Sequence, residues 1–355
     1  MDDRPSLPAG NLIPVSLLTG FLGSGKTTVL NGLLRRPELA RTVVIINEFG
    51  EIGLDHELVE SSTEDMILLK SGCLCCTIRG DLVDALRGLM ARRIAGRIAA
   101  FDRVLIETTG LADPAPILHT LMSDRAVASA YRLDGIITTV DAATADATLD
   151  RQAEAVKQVA VADRLLLTKT DLVTPEASHR LAERLKGLNP AAPILRARHG
   201  GVDPAEILDA GLFDPRTRKP DVQRWLNEEA YRHHHDHHHH HDVNRHDEHI
   251  KALCLRVEQP IRASAFETWL GLLLAMKGPD ILRVKGIVNI AELPGPLVIH
   301  GVQHVVHPPL PLKSWPSADR SSRIVFITRD LDEAALRDTL RLFTDDPPAP
   351  SVAAS

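Results

Sequence analysis

Short apolar runs ending in small or polar residues recur through the first 200 positions, and the stretches between them place apolar residues at helical spacing. The pattern predicts strands over 14–19, 42–47, 66–70, 103–108, 135–140, 164–168 and 193–197. Val43-Val44-Ile45-Ile46 is apolar at every position, as a strand covered on both faces must be. Strands alternating with helices imply a parallel sheet with helices on both faces. Between about 201 and 248 the periodicity fades into text such as Asp214-Pro215-Arg216-Thr217-Arg218-Lys219-Pro220 and then a histidine tract. From 251 it resumes with a strand over 253–257, a helix over 263–277, strands over 281–290, 297–306 and 324–328, and a closing helix over 331–343. The expected layout is a tail (1–12), an α/β domain (13–205), a linker (206–249), a smaller α+β domain (250–343) and a second tail (344–355).

Composition narrows the class. A chain of 355 residues is long enough for two cores, and 44% hydrophobic with 25% charged residues excludes a disordered or fibrous chain. Lys and Arg total 41 against 47 Asp and Glu, a net charge of −6 with no basic stripe, so no nucleic-acid partner is expected. No apolar run nears the roughly 18 residues of a membrane span, and Met1-Asp2-Asp3-Arg4-Pro5 lacks the order of a signal peptide. The expectation is a cytoplasmic protein without membrane contact.

Gly20-Phe21-Leu22-Gly23-Ser24-Gly25-Lys26-Thr27 matches G-x-x-x-x-G-K-[ST], after a predicted strand and before helical text at 28–34 that stops ahead of Pro37. The phosphate-loop reading makes Gly20, Gly23, Ser24, Gly25 and Thr28 backbone contacts to a nucleotide. Lys26 reaches the β/γ oxygens and the Thr27 hydroxyl ligates Mg²⁺. Thr168-Lys169-Thr170-Asp171 follows the strand over 164–168, where a base-recognition loop is expected. An Asp there accepts from guanine N1–H and N2–H₂, whereas adenine offers no such donors, so the nucleotide is read as GTP or GDP. Val104-Leu105-Ile106-Glu107-Thr108-Thr109-Gly110 is an apolar strand ending in a carboxylate and a glycine. Glu107 is the candidate Mg²⁺ carboxylate, and the Gly110 N–H the candidate contact to the γ-phosphate. Glu48, in Asn47-Glu48-Phe49-Gly50-Glu51, adds a carboxylate whose role, switch, Mg²⁺ or transition metal, the spacing leaves open.

Three of the four Cys fall within four positions, Cys73, Cys75 and Cys76. Three soft thiolates suit Zn²⁺ or Cu(I), with Co²⁺ possible, and leave a fourth position for a passing ligand. Convergence on one ion needs a tight turn, which Gly72 permits. Cys254 lies in an apolar strand pattern and is read as core. Ten of the 17 His lie between His233 and His249; the dense part, His233, His234, His235, His237, His238, His239, His240 and His241, reads as a weak collector of first-row metals or as a solvated linker. His300, His304 and His307 are placed on one later strand, the first two sharing a face, and are read as structural.

In order along the chain, GFLGSGKTT (20–28), NEFGE (47–51), GCLCC (72–76), ETTGLADP (107–114), LDGIITTVDA (133–142) and TKTD (168–171) resemble the CobW-like metal-handling phosphate-loop GTPases. LRVKGIV (282–288) and IHGVQHVVHPP (299–309) resemble that family's C-terminal domain. The resemblance implies a family related to the nickel chaperones of urease and hydrogenase maturation, with GTP hydrolysis coupled to metal delivery to a client protein. The Cys-x-Cys-Cys site would be the cargo position, and the wording lies closer to the zinc-transferring members than to the cobalt-handling member of cobalamin synthesis. Alternatives are cobalt delivery, a metal store or sensor without turnover, and an ATP-using phosphotransferase in which Asp171 would have no purpose.

Overall fold

The computed structural model describes residues 12–49, 66–71, 77–208, 226 and 249–344, the side chains of 47–49, 66–71 and 77–81 excepted. Among these, 12–208 belong to one compact unit and 226 and 249–344 to another.

The first unit is a seven-stranded sheet of β1 (Ile13–Gly20), β2 (Thr42–Phe49), β3 (Met66–Ser71), β4 (Arg103–Thr108), β5 (Tyr131–Asp141), β6 (Arg164–Thr168) and β7 (Ile194–Arg196). Their order is β3-β2-β4-β1-β5-β6-β7, and every pairing is parallel. The crossovers carry α1 (Lys26–Leu34), α2 (Thr77–Ile94), α3 (Ala115–Ser123), α4 (Arg125–Ala128), α5 (Ala145–Arg151), α6 (Ala153–Val161) and α7 (Pro175–Leu188), with α8 (Pro204–Ile207) after β7. The doubly wound α/β class expected from the alternation is therefore what the chain adopts. β1 and β4 lie side by side, yet β1 leads on towards β2 and β4 towards β5, so their outgoing loops part at the carboxyl edge of the sheet, where such folds bind ligands.

Burial explains why these segments are strands. β4 reads as buried at five consecutive positions, and Val29, Leu30 and Leu33 of α1 pack with Leu18, Val44 and Ile137. That core reaches Ile207 and Leu208, so the fold continues a few residues into text whose periodicity had faded. β5 starts at Tyr131 rather than 135. Its early residues read as polar, but the Tyr131 hydroxyl is buried and donates to Leu86 O (2.9 Å). Asp134 occupies a β-bulge opposite Val15 and Ser16, where it accepts from Ser16 Oγ (2.8 Å) and pairs with Arg103 (2.5 Å).

The second unit is an antiparallel sheet of β8 (Ile250–Val257), β9 (Ile281–Val288), β10 (Leu297–Val302), β11 (Val305–Val306), β12 (Leu310–Pro311) and β13 (Ser322–Arg329). The order is β11-β10-β9-β13-β8, with β12 also on β10. Helices α9 (Ala263–Lys277) and α10 (Glu333–Thr344) cover one face through Phe266, Trp269, Leu336 and Leu340. Trp269 meets Phe326 edge-on at 6.5 Å and donates to Thr339 Oγ1 (3.2 Å).

The run over 297–306 is not one strand: the chain reverses at Gln303 (φ 53°), putting His304 in the turn. His300 and His307 therefore face each other, rings 6.5 Å apart and 13° from parallel, with His307 N donating to His300 O (2.8 Å). His300 shares its side with His307, not with His304, because a hairpin resets the period-two count.

Candidate nucleotide site

β1 ends at Gly20, and the loop to α1 takes positive φ at Gly20 (142°), Gly23 (71°) and Gly25 (89°), a path that L side chains rarely follow. Lys26, the first residue of α1, is 9% exposed and folds back to donate to Gly20 O (3.0 Å) and Phe21 O (3.3 Å). Ser24 Oγ and Thr139 Oγ1 lie 2.6 Å apart, fixing the loop to the end of β5. Thr27 Oγ1 donates to Glu107 Oε1 (2.8 Å).

Glu107 sits at the end of β4, beside Leu18 of β1, and is 6% exposed. The next residue, Thr108, donates to Thr19 Oγ1 (2.8 Å), so the two strand ends are tied by their hydroxyls. Beyond it the chain turns, Ala112 N donating to Thr109 O (3.2 Å). Gly110 rests directly on the phosphate loop: a Cβ there would come within 2.5 Å of Leu22 N, so no other residue fits without moving that backbone.

The 168–171 segment is joined to the phosphate loop. Thr168 Oγ1 donates to Ser24 O (2.7 Å), and Lys169, in the left-handed region (φ 52°), reaches both Gly23 O and Asp141 Oδ2 (2.8 Å each). Asp171 stands exposed in the short helical turn Thr170–Leu172. The loop after β7 closes over α1, the space a Cβ on Gly200 would take lying 2.4 Å from Thr28 O.

Of the residues singled out from sequence, Gly20, Gly23, Ser24, Gly25, Lys26, Thr27, Thr28, Glu107, Gly110, Thr168, Lys169 and Asp171 thus lie on neighbouring loops at one edge of the sheet. Glu48 is on β2, in register with Lys70 of β3, and its side chain is not among those described. Cys73, Cys75, Cys76 and the histidines from His233 to His241 lie outside the described residues. Among the described residues no group of three or more His, Cys, Asp or Glu could hold a metal ion. No described helix is long and apolar enough to cross a membrane.

A family profile described as "CobW/HypB/UreG, nucleotide-binding domain" matches residues 14–196. The chain belongs to that family. A second profile, "Cobalamin synthesis protein cobW C-terminal domain", matches residues 250–344, so both halves of a CobW protein are present. The zinc chaperone YjiA of Escherichia coli (strain K12) is 35% identical over 327 residues, covering 92% of this chain and 97% of that protein. The zinc chaperone CobW of Pseudomonas aeruginosa is 32% identical, covering 93% and 91%. The crystal structure of Zn(II)-bound YjiA GTPase from E. coli is 29% identical with a TM-score of 0.68, covering 94% of this chain and 99% of that one.

Several contacts around these loops were not among the residues singled out from sequence. Asp141 orients Lys169 from the end of β5, and Lys157 and Gln158 of α6 reach Asp113 and the Gly110–Ala112 turn. Asp141, a carboxylate closing an apolar strand, and Asp113, inside ETTGLADP, carried local cues; Gln158 is one polar letter inside a helical run.

Proposed function

We propose that this CobW-family chain is a GTP-hydrolysing zinc chaperone: it holds Zn²⁺ as cargo on Cys73, Cys75 and Cys76 and releases it to a client protein when GTP is cleaved. The observation that supports the nucleotide half is Lys169, which spans Gly23 of the phosphate loop and Asp141 and so ties the segment that leads into the Asp171 turn to that loop. An exposed carboxylate held there accepts from the two N–H groups on the Watson–Crick edge of guanine. The relatives named zinc chaperone and the Zn(II)-bound YjiA support zinc as the ion.

The Thr27 hydroxyl and Glu107 carboxylate are hard oxygen donors already in contact, which suits Mg²⁺. Bound there, Mg²⁺ would neutralise charge building on the β- and γ-oxygens. The chain's own groups do the rest. Lys26 exchanges its two carbonyl partners for phosphate oxygens, the loop amides line the anion, and Gly110 presents its N–H from the phosphate-loop side. The described chain leaves β3 at Ser71 and resumes at Thr77 of α2, and β3 pairs with β2 at the same sheet edge. The intervening five residues carry the three Cys, and in this reading the histidine tract serves as a weak collector feeding them.

Comparing hydrolysis of GTP and ATP by the full chain, with zinc content measured in parallel, tests this. The expected result is a GTPase carrying one zinc that Cys75→Ser removes. Equal GTP and ATP rates, or zinc retained by Cys75→Ser, would overturn it.

A further inference from the structure

The turn after β4 is held from outside the nucleotide loops. Gln158 of α6 is 1% exposed and donates Nε2 to the carbonyl oxygens of Gly110 (3.2 Å) and Ala112 (3.0 Å). Its neighbour Lys157 pairs with Asp113 (3.0 Å), so two consecutive residues grip the whole segment from 110 to 113. α6 is itself anchored to β5, where Thr138 Oγ1 donates to Gln158 O (2.8 Å). On its other side the turn lies against Leu22 of the phosphate loop, and Gln158, Phe21 and Leu22 line one cleft. The backbone that answers to a terminal phosphate is thus clamped between the phosphate loop and one buried amide.

The choice of glutamine is informative. Among the described residues Oε1 of Gln158 is buried without a hydrogen-bond partner, which is unfavourable for an amide used only as filling; an apolar side chain of similar size would avoid it. An amide earns such a position by having a donor for the turn in one arrangement and an acceptor for it in another. If a peptide of the turn rotates so that its N–H replaces its C=O, Oε1 can take that N–H.

We infer that Gln158 is a positioning residue for nucleotide sensing: it sets the Gly110–Ala112 turn against the phosphate loop so that the turn distinguishes GTP from GDP. This rests on the reading of the chain as a GTPase. In this role Gln158 acts through Gly110, whose carbonyl it holds.

The test uses Gln158→Leu and Gln158→Glu in the full chain, with fluorescent GDP and a fluorescent non-hydrolysable GTP analogue. Expected is GDP affinity within about twofold of the parent while the analogue weakens about tenfold in Gln158→Leu. Gln158→Glu, whose carboxylate faces two carbonyl oxygens, weakens it further, and kcat falls more than KM rises. Equal weakening of both nucleotides, no change in either, or loss of GDP binding in both variants would make Gln158 a packing residue and overturn the inference. A parent protein that fails to prefer GTP over ATP would instead overturn the proposed function, and that control is read before any variant.

Discussion

The Thr27 hydroxyl donates to Glu107 Oε1 across 2.8 Å, joining the first turn of α1 to the end of β4. Two segments 80 residues apart meet there, through the two oxygen donors proposed above for Mg²⁺. Glu107→Gln keeps the shape and the hydrogen bond but removes the charge, so kcat at saturating Mg²⁺–GTP should fall about 10²-fold while GDP affinity changes little. Steady-state phosphate release checks it; an unchanged kcat would make the carboxylate structural.

In the proposed function, base recognition rests on Asp171, two residues beyond Lys169, which bonds Gly23 O and Asp141. Two hydrogen bonds to a carboxylate are worth roughly 1.5–3 kcal/mol each, so Asp171→Ala should weaken GTP binding by about 10²-fold or more and leave the weak binding of ATP unaffected. Lys169→Ala should weaken both, because it releases Gly23 as well as Asp141. Competition titrations with the two nucleotides distinguish the outcomes.

Arg103 and Asp134 form a buried ion pair whose side chains are 13% and 2% exposed, with Ser16 and Arg132 as further partners of the carboxylate. Removing one partner leaves an uncompensated buried charge, so Asp134→Ala should cost about 3–5 kcal/mol of stability. Urea unfolding measures it. GDP affinity of the folded fraction should be unchanged, since this network lies away from the phosphate loop's ends of β1 and β4.

Burial holds the His307 imidazole below its ordinary pKa of 6.5. The unfolded chain then binds a proton at pH values where the folded chain does not, so this residue's contribution is complete above about 6.5 and shrinks as pH falls towards the folded value. The second unit should therefore melt earlier at about pH 5.5 than at 7.5, and His307→Gln should flatten that slope. An identical slope in the variant would contradict it.

Why so much of this site was legible follows from its chemistry. A phosphate loop needs glycines at fixed spacing because only they allow the φ values at Gly20, Gly23 and Gly25, and its strand and helix are contiguous in sequence. β4 and β6 kept the expected bounds of 103–108 and 164–168, and α9 those of 263–277, because each is a continuous apolar or amphipathic run. The hairpin at Gln303 was missed because its two strands join through Gln and His, residues with no turn signature. Lys157 and Gln158 were missed for another reason. Their partners lie more than 40 residues away, and no local period records a contact made by tertiary packing.

In the proposed function metal and nucleotide binding are coupled, and coupling of binding energies is reciprocal. Titrating Zn²⁺ into the full chain loaded with GDP or with a non-hydrolysable GTP analogue measures it directly. Tighter zinc binding in the analogue-loaded protein, by about tenfold and abolished in Cys75→Ser, is the predicted result. Equal zinc affinity in the two nucleotide states would contradict it.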